Sequence, residues 1–379
     1  MEFIREKILG FLRILVWYFD YLIYLIFNPF KFRSLPKNIK KILVIELKYI
    51  GDAIVITPAI HALKETYKGS EIDVIVPKVM TDLFKNNPDI NEIVTFDNKS
   101  FYEKLKIIKD KYDLAVIFHN GTFLVSFLLL LANVKFRIGC TKVGITESKG
   151  YFLHRNTRPT FILKHKVDDN LDVIKTINII PKEKRLHLYA DKTADKKIND
   201  LLKKNKVSKK DFLVAIHPAP QHKSHEWFQD RFAELADALI KSHKAKIIFT
   251  GAKKDIEYNK EILGLMKNKA VNFAGTSLLE FISLINASRL VISVDTGAMH
   301  IAAGLNKPVI SLFGAGNPKI WKPYCKNSIV IFKENIAHTS CMKHSCYLKG
   351  NKYMECMKAI TINDVSKSVQ EIYKHSKSL

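Results

Sequence analysis

The chain is poor in cysteine, glycine, proline and negative charge. Its 379 residues include five cysteines, 15 glycines and 12 prolines. An odd cysteine count, with four of the five between Cys325 and Cys356, excludes the evenly stapled framework of a small secreted protein and points to a reducing cytoplasm. Scarce glycine and proline with 47% hydrophobic residues exclude collagenous, low-complexity and disordered classes. No G-x-G-x-x-G or P-loop pattern occurs, which argues against dinucleotide binding and P-loop NTPase chemistry. Only 37 acidic residues face 61 basic ones, a formal net charge of +24. Such a charge suits nucleic acid, an anionic membrane surface or a phosphorylated substrate. The lysines are spread over nearly every segment and no nucleic-acid module can be read, so nucleic acid is not an expected partner. What is present is length: enough chain for two domains, each with its own core.

One segment departs from globular behaviour. Ile8 to Phe27 runs twenty residues with only Arg13 and Asp20 charged, long enough to cross a bilayer. Glu6, Arg13 and Asp20 recur every seven residues, so on a helix they form one narrow polar stripe along a cylinder rich in Trp17, Tyr18, Tyr21 and Tyr24. Lying in the membrane interface is the leading expectation, with spanning and docking on the protein as alternatives. Basic residues flank both ends (Arg5, Lys7, then Lys31, Arg33, Lys37), which suits a cytoplasmic, lipid-facing protein. No small-x-small cleavage site follows, so a signal peptide is not expected.

Beyond Asn38 the pattern becomes short β-branched runs alternating with helical stretches. KILVIE (41–46), EIDVIV (71–76), 92–96, DLAVIF (113–118) and 136–140 read as strands of a parallel sheet in right-handed βαβ units. A lysine-rich stretch containing KTADKKINDLLKKNKVSKKD reads as a surface helix and linker. A second series follows: strands at 212–217, 246–250, 271–274, 290–294 and 308–313, with helices between. The expected fold class is α/β, with two Rossmann-like, doubly wound domains facing a central crevice at the carboxyl ends of their strands. The expected division is 1–38 (apolar helix and linker), 39–180 (first domain), 181–211 (linker), 212–360 (second domain) and 361–379 (C-terminal helix).

Two strand ends carry candidate chemistry. After the first strand comes Leu47-Lys48-Tyr49-Ile50-Gly51-Asp52-Ala53, with Thr57-Pro58 as a helix start, which places Asp52 in a loop or irregular first turn; a turn cap is the plain alternative. Ser293-Val294-Asp295-Thr296-Gly297-Ala298-Met299-His300 places Asp295 and Thr296 at a helix N-terminus whose N–H groups and dipole suit a phosphate. Gly297 lets a ligand approach the backbone, and His300 can donate to a phosphate oxygen.

Three linked motifs, KILVIELKYIGDAIVITPAIHALKETY, VAIHPAP…EWFQDRFAELADAL and ASRLVISVDTGAMHIAAGLNKPVISLFGAGNP, resemble the bacterial heptosyltransferase family of lipopolysaccharide core synthesis from about Lys40 to the C-terminus. The resemblance implies a GT-B fold and an inverting, metal-independent transfer of a sugar from a nucleotide-diphosphate donor, usually ADP-heptose, to a lipid-linked acceptor. It implies Asp52 as general base, Asp295 as ligand of the donor sugar, and Thr296 and Gly297 as backbone donors to the diphosphate. Asp255 stands where the family often has Glu for a ribose. In the loop His217 to Trp227, His225 occupies the family's usual basic position. Lys223, which stays charged at neutral pH, is the expected cation to the diphosphate.

His338, Cys341, Cys346 and Cys356 resemble a cysteine-rich stretch in some relatives. Their spacing is not a standard zinc motif, so plain thiols in a packed loop are the expectation and a structural zinc the alternative. No cofactor is expected. The expected partners are a nucleotide-sugar donor, a lipopolysaccharide-type glycolipid acceptor and an anionic inner-membrane surface at its cytoplasmic face. Acceptor contacts are expected around His119 to Phe123 and Arg137 to Lys149. A nucleotide-sugar epimerase and a non-catalytic membrane-bound adaptor are the alternative functions.

Overall fold

The run Lys41–Ile45 forms strand β1 because four consecutive apolar side chains, Ile42 to Ile45, are all fully buried, as both faces of a parallel strand covered by helices require. The computed structural model describes residues 28–118, 123–140, 152–158, 160, 162–336 and 340–377, together with 11–12, 15–16, 18–19, 21–22 and 25–26. Its chain divides into two compact units, Met1–His187 and Leu188–Leu379.

In the first unit β2 (Glu71–Ile75), β3 (Glu92–Val94), β4 (Leu114–Ile117), β5 (Phe136–Gly139) and β6 (Arg155–Asn156) join β1 in the order β3-β2-β1-β4-β5-β6. Every pairing is parallel; Val44 lies opposite Val74 on one side and Val116 on the other. The second unit repeats the plan with β7 (Leu213–His217), β8 (Lys246–Phe249), β9 (Val271–Asn272), β10 (Leu290–Val294), β11 (Val309–Phe313) and β12 (Ser328–Phe332), in the order β12-β11-β10-β7-β8-β9. Both sheets reverse direction of growth at one point, β1/β4 in the first and β7/β10 in the second. In such sheets ligands bind beyond the carboxyl ends of the strands at that point.

Three expectations about organisation change. Residues 192–204, read as a surface helix and linker, form a helix that packs within the second unit. Asp191 accepts from the Ala194 N–H at 2.9 Å to cap the helix Lys192–Lys204. Ala194, Ile198 and Leu202, spaced four apart, are buried on the side that packs against the helix Leu278–Ala287, and Lys197 pairs with Glu280 across that contact. The C-terminal helix Ile362–Lys377 belongs to the second core, with Val365 and Val369 fully buried in the same cluster as Trp227. Trp227 donates its indole N–H to the Ile360 carbonyl at 3.0 Å, and Arg231 donates to the carbonyls of Lys358 (2.8 Å) and Ile360 (2.6 Å). Finally, residues 28–33 are docked. Asn28 donates to the Leu153 carbonyl at 2.8 Å, Arg155 donates to the Lys31 carbonyl at 2.5 Å, and Arg137 lies over the Phe30 ring at 4.9 Å.

The described residues between 11 and 26 are helical. Phe11, Leu12, Leu15, Phe19, Leu22 and Ile26 are exposed, by 44% to 62%. Glu6, Arg13, Trp17, Asp20 and Tyr24 lie outside the described residues, and with them the full polar stripe. Among the described residues no helix is long and apolar enough to cross a membrane.

Candidate active site

Each unit carries a cluster of candidate residues at the carboxyl ends of its strands. In the first, β1 runs straight into Glu46, which is fully buried, and Asp52 follows at 9% exposure. Asp52 sits in the first turn of a short helix, Ile50–Val55, the second of the two placements expected. The next helix begins at Thr57 with Pro58 in its second position, and Ile56 is its N-cap. The Thr57 hydroxyl donates back to the Ile54 carbonyl (2.7 Å) and accepts from the His187 N–H (3.0 Å), so it staples helices instead of capping one.

Burial dominates this pair. It pushes the Glu46 carboxyl up to about 8, helped by the Asp52 charge and opposed by Lys166 and Lys48. Asp52 is also raised by burial, against the pull of Lys166 and then Lys48. Glu46 is thus the acid that keeps its proton near neutrality. One of its oxygens accepts from the Lys48 N–H at 3.0 Å and the other has no hydrogen-bond partner. Lys166, 8% exposed, is the first residue of the helix Lys166–Lys175, whose N-cap His165 accepts from the Val167 N–H at 3.1 Å. Its charge opposes the rise of both carboxylates.

In the second unit β10 ends at Val294, followed by Asp295 and Thr296, and the helix Gly297–Gly304 begins. Thr296 is its N-cap, but its hydroxyl contacts Ser293 Oγ at 3.0 Å and no side chain caps the helix. The uncapped N–H groups and positive dipole end suit an anion. Asp295 Oδ2 lies 3.3 Å from His225 Nδ1. Gly316 faces them so closely that a Cβ there would stand 1.9 Å from Asp295 Oδ2 and 3.4 Å from His225 Cε1. His225 ends the turn Lys223–His225, and the Ser224 N–H donates to the His344 carbonyl at 3.3 Å while its hydroxyl donates to the Lys343 carbonyl. The His222 ring stacks on His344 with centroids 3.8 Å apart. Burial and the charges of His344 and His225 draw His222 below the usual imidazole range.

The structure therefore gathers His225, Asp295, Thr296 and Gly297. Lys223 is exposed, with no ion-pair partner among the described residues. Asp255, in the turn Lys253–Asp255 after β8, spends a carboxylate oxygen on the Ala252 N–H at 2.8 Å. His300 is 3% exposed, with the Trp321 ring edge-on at 6.2 Å. Four neighbours were missed from sequence: Glu46, Lys166, His222 and His344. A glutamate closing the apolar run KILVI was a readable signal. Lys166 and His344 lie too far along the chain to leave one.

Cys341, Cys346 and Cys356 line one small cavity with Ser224 and Met354. All three are free thiols. Burial pushes Cys341 up and Cys356 up to about 11, with the neighbouring thiols adding to both. His338, the fourth residue of that set, lies outside the described residues, as do 119–122 and 141–149. Donor atoms of His61, Asp89 and His187 lie within 4.8 Å of one another. The two imidazoles are stacked, 4.2 Å apart and 25° from parallel, so their in-plane lone pairs do not converge on one ion. His61 instead pairs with Asp89 at 2.8 Å and Glu183 at 3.5 Å.

Comparison with known proteins gives concordant findings. Residues 102–352 match the sequence model of glycosyltransferase family 9 (heptosyltransferase). The chain is 26% identical over 305 residues to a lipopolysaccharide core heptosyltransferase of Haemophilus influenzae, covering 78% of this chain and 86% of that protein. It is 28% identical over 313 residues to lipopolysaccharide heptosyltransferase 3 of Escherichia coli, covering 76% and 87%. Among solved structures, a family 9 glycosyl transferase of Veillonella parvula superposes with a TM-score of 0.77 at 21% identity, covering 90% of this chain and 98% of that one. The E. coli ADP-heptose lipopolysaccharide heptosyltransferase II gives 0.74 at 22%, covering 89% and 99%.

Proposed function

The chain belongs to glycosyltransferase family 9 (heptosyltransferase), and from that premise we propose that it is a GT-B enzyme transferring heptose from ADP-heptose to the core of a lipopolysaccharide-type glycolipid, with inversion. The single observation that carries the chemistry is the buried pair Glu46 and Asp52 at the end of β1, with Lys166 holding Asp52 toward its ionised form.

Asp52 takes the proton of the acceptor hydroxyl as that oxygen bonds to the anomeric carbon from the face opposite the diphosphate. The bond from the anomeric carbon to the diphosphate oxygen breaks, and the electron pair leaves with ADP. Asp295 holds the donor sugar, and the N–H groups of Thr296, Gly297 and the first helical turn take up the growing charge on the diphosphate. His225 beside Asp295, rather than the exposed Lys223, is the better placed basic group for the donor. Glu46, protonated at neutral pH, leaves Asp52 as the one anion of its pair. His300 is assigned to holding the helix rather than to the phosphates, and Asp255 to closing its own turn.

Membrane association is assigned to residues 1–27, whose described part carries exposed Phe, Leu and Ile side chains. A helix of that kind lies in the interface of the cytoplasmic leaflet, and the basic surface adds attraction to anionic lipid.

The test is a donor panel. Full-length protein is incubated with a set of nucleotide sugars, with and without a heptose-deficient core glycolipid. Release of nucleoside diphosphate from ADP-heptose, dependent on the acceptor, supports the reading. Consumption of a donor without acceptor would instead indicate an epimerase, and no release with any donor would leave an adaptor.

A further inference from the structure

A second cavity lies in the second unit, at the amino ends of its strands, opposite the end that carries Asp295. Leu213 opens β7, Arg289 immediately precedes β10, and Lys307 stands two residues before β11; all three line it. Its walls are the helices Lys192–Lys204 and Leu278–Ala287, and its volume is about 620 Å³, within the range of small-ligand sites. Nothing in the transfer reaction uses it.

Its charge is one-sided. Lys203, Lys206, Lys209, Arg289 and Lys307 line the cavity against one carboxylate, Asp195. Both walling helices end on this side, and their carboxyl ends each offset roughly half a charge, which leaves about +3. The cations are not consumed internally. Lys203 has only the distant Asp200 carboxylate, at 3.8 Å. Arg289 spends one N–H on the Lys209 carbonyl at 3.3 Å. The Lys307 ammonium is half-buried and has no hydrogen-bond or ion-pair partner among the described residues. Burial and the Arg289 charge pull it below the usual lysine range. A second observation is independent of the lysines: Ser283, 1% exposed and lining the same cavity, has a hydroxyl with no hydrogen-bond partner. Unpaired buried polar and charged groups are costly unless a ligand completes them. The floor, with Ile198, Leu202, Val207 and Ala287, is apolar, which favours an organic phosphate over the bare ion.

We propose that this cavity binds an organic phosphate ester, with Arg289 and Lys307 holding the phosphate and the helix walls holding the organic part. The ester comes either as a soluble metabolite or as a phospholipid headgroup. The lysine-rich segment 192–210 is then a binding wall rather than a solvated spacer.

The test is calorimetric titration of the full-length protein, with ADP added to fill the donor site. The probes are sn-glycerol 3-phosphate and a short-chain phosphatidylglycerol below its micelle concentration. Binding of either at one equivalent is expected, and which one binds identifies the source. The double substitution Arg289→Gln with Lys307→Gln is expected to weaken that binding at least tenfold. Lys241→Gln, on the exposed face of the helix Gln229–His243, leaves it unchanged. Because Lys307 is half-buried, the exposed pair Lys203→Gln with Lys206→Gln serves as a second variant, expected to weaken binding severalfold and to reduce its salt dependence. No binding of either probe, or equal binding by wild type and both double variants, overturns the proposal.

Discussion

Glu46 carries a proton that a surface glutamate would have lost, and the consequences can be measured separately for stability and for turnover. Its carboxyl is raised from 4.5 to about 8. Below pH 4.5 folded and unfolded chains both hold the proton. Between 4.5 and 8 only the folded chain does, so the unfolded state is favoured progressively as pH rises and stability falls across that window. Glu46→Gln removes the titration and keeps an acceptor for the Lys48 N–H. In urea unfolding the variant is expected to be the more stable protein at about pH 8, the gap closing toward about pH 4; parallel curves at all pH values would contradict the burial account. For turnover, the proposed base Asp52 would act when ionised, so the rate is expected to climb with pH through its raised pKa. Lys166 is the largest influence holding that pKa down. Lys166→Met therefore should move the acidic limb of kcat/KM to higher pH, while Asp52→Asn should lower kcat by about 10²- to 10⁴-fold with donor affinity kept. A loss of donor affinity in Asp52→Asn equal to the loss of rate would argue against a base. The position of Asp52 at a strand end was legible in GDAIVITP. Its partner and its shifted pKa were not, because burial depth and Lys166 come from tertiary packing.

Elements explain which residues of the proposed donor side converge. The helix Gly297–Gly304 lacks a side-chain cap because Thr296 turns its hydroxyl to Ser293. The loop after β11 presses glycine against Asp295. Gly316→Ala would put a Cβ 1.9 Å from Asp295 Oδ2, whereas Gly314→Ala meets chiefly the flexible thioether of Met357, at 2.4 Å. The first must displace Asp295 and is expected to weaken ADP-heptose binding at least tenfold. The second costs on the order of 1–3 kcal/mol of stability through overpacking, with donor affinity near wild type. Titration and thermal unfolding of the two variants separate these effects; equal donor affinities would contradict the assigned role of Asp295. Strand positions were readable from β-branched runs at the expected spacing, from KILVI to VISLF. The helix Lys192–Lys204 was expected as a surface helix, but its packing was not legible because its three buried residues, Ala194, Ile198 and Leu202, are outnumbered by lysines. His344 reaches His222 only through the fold of the cysteine-bearing loop.

At the scale of the whole molecule the excess of positive charge, +24, has two separable proposed roles: attraction to an anionic leaflet and a cationic cavity in the second unit. The apolar N-terminal segment was plain from sequence, and its boundary was not. Residues 28–33 are tied down by Leu153, Arg137 and Arg155, so a cut after residue 27 preserves the first unit where one after 38 strips contacts from it. Removing residues 1–27 is expected to weaken sedimentation with phosphatidylglycerol vesicles severalfold while leaving ADP-heptose affinity within twofold; unchanged sedimentation would move the membrane contact elsewhere. The central claim, acceptor-dependent heptose transfer driven by Asp52, is tested most directly by counting products. Wild-type protein, ADP-heptose and a heptose-deficient core glycolipid should yield ADP and heptosylated glycolipid in equal amounts by mass spectrometry, with both reduced by about 10²-fold or more in Asp52→Asn. ADP without glycolipid product, or equal product from the Asp52→Asn protein, would contradict it.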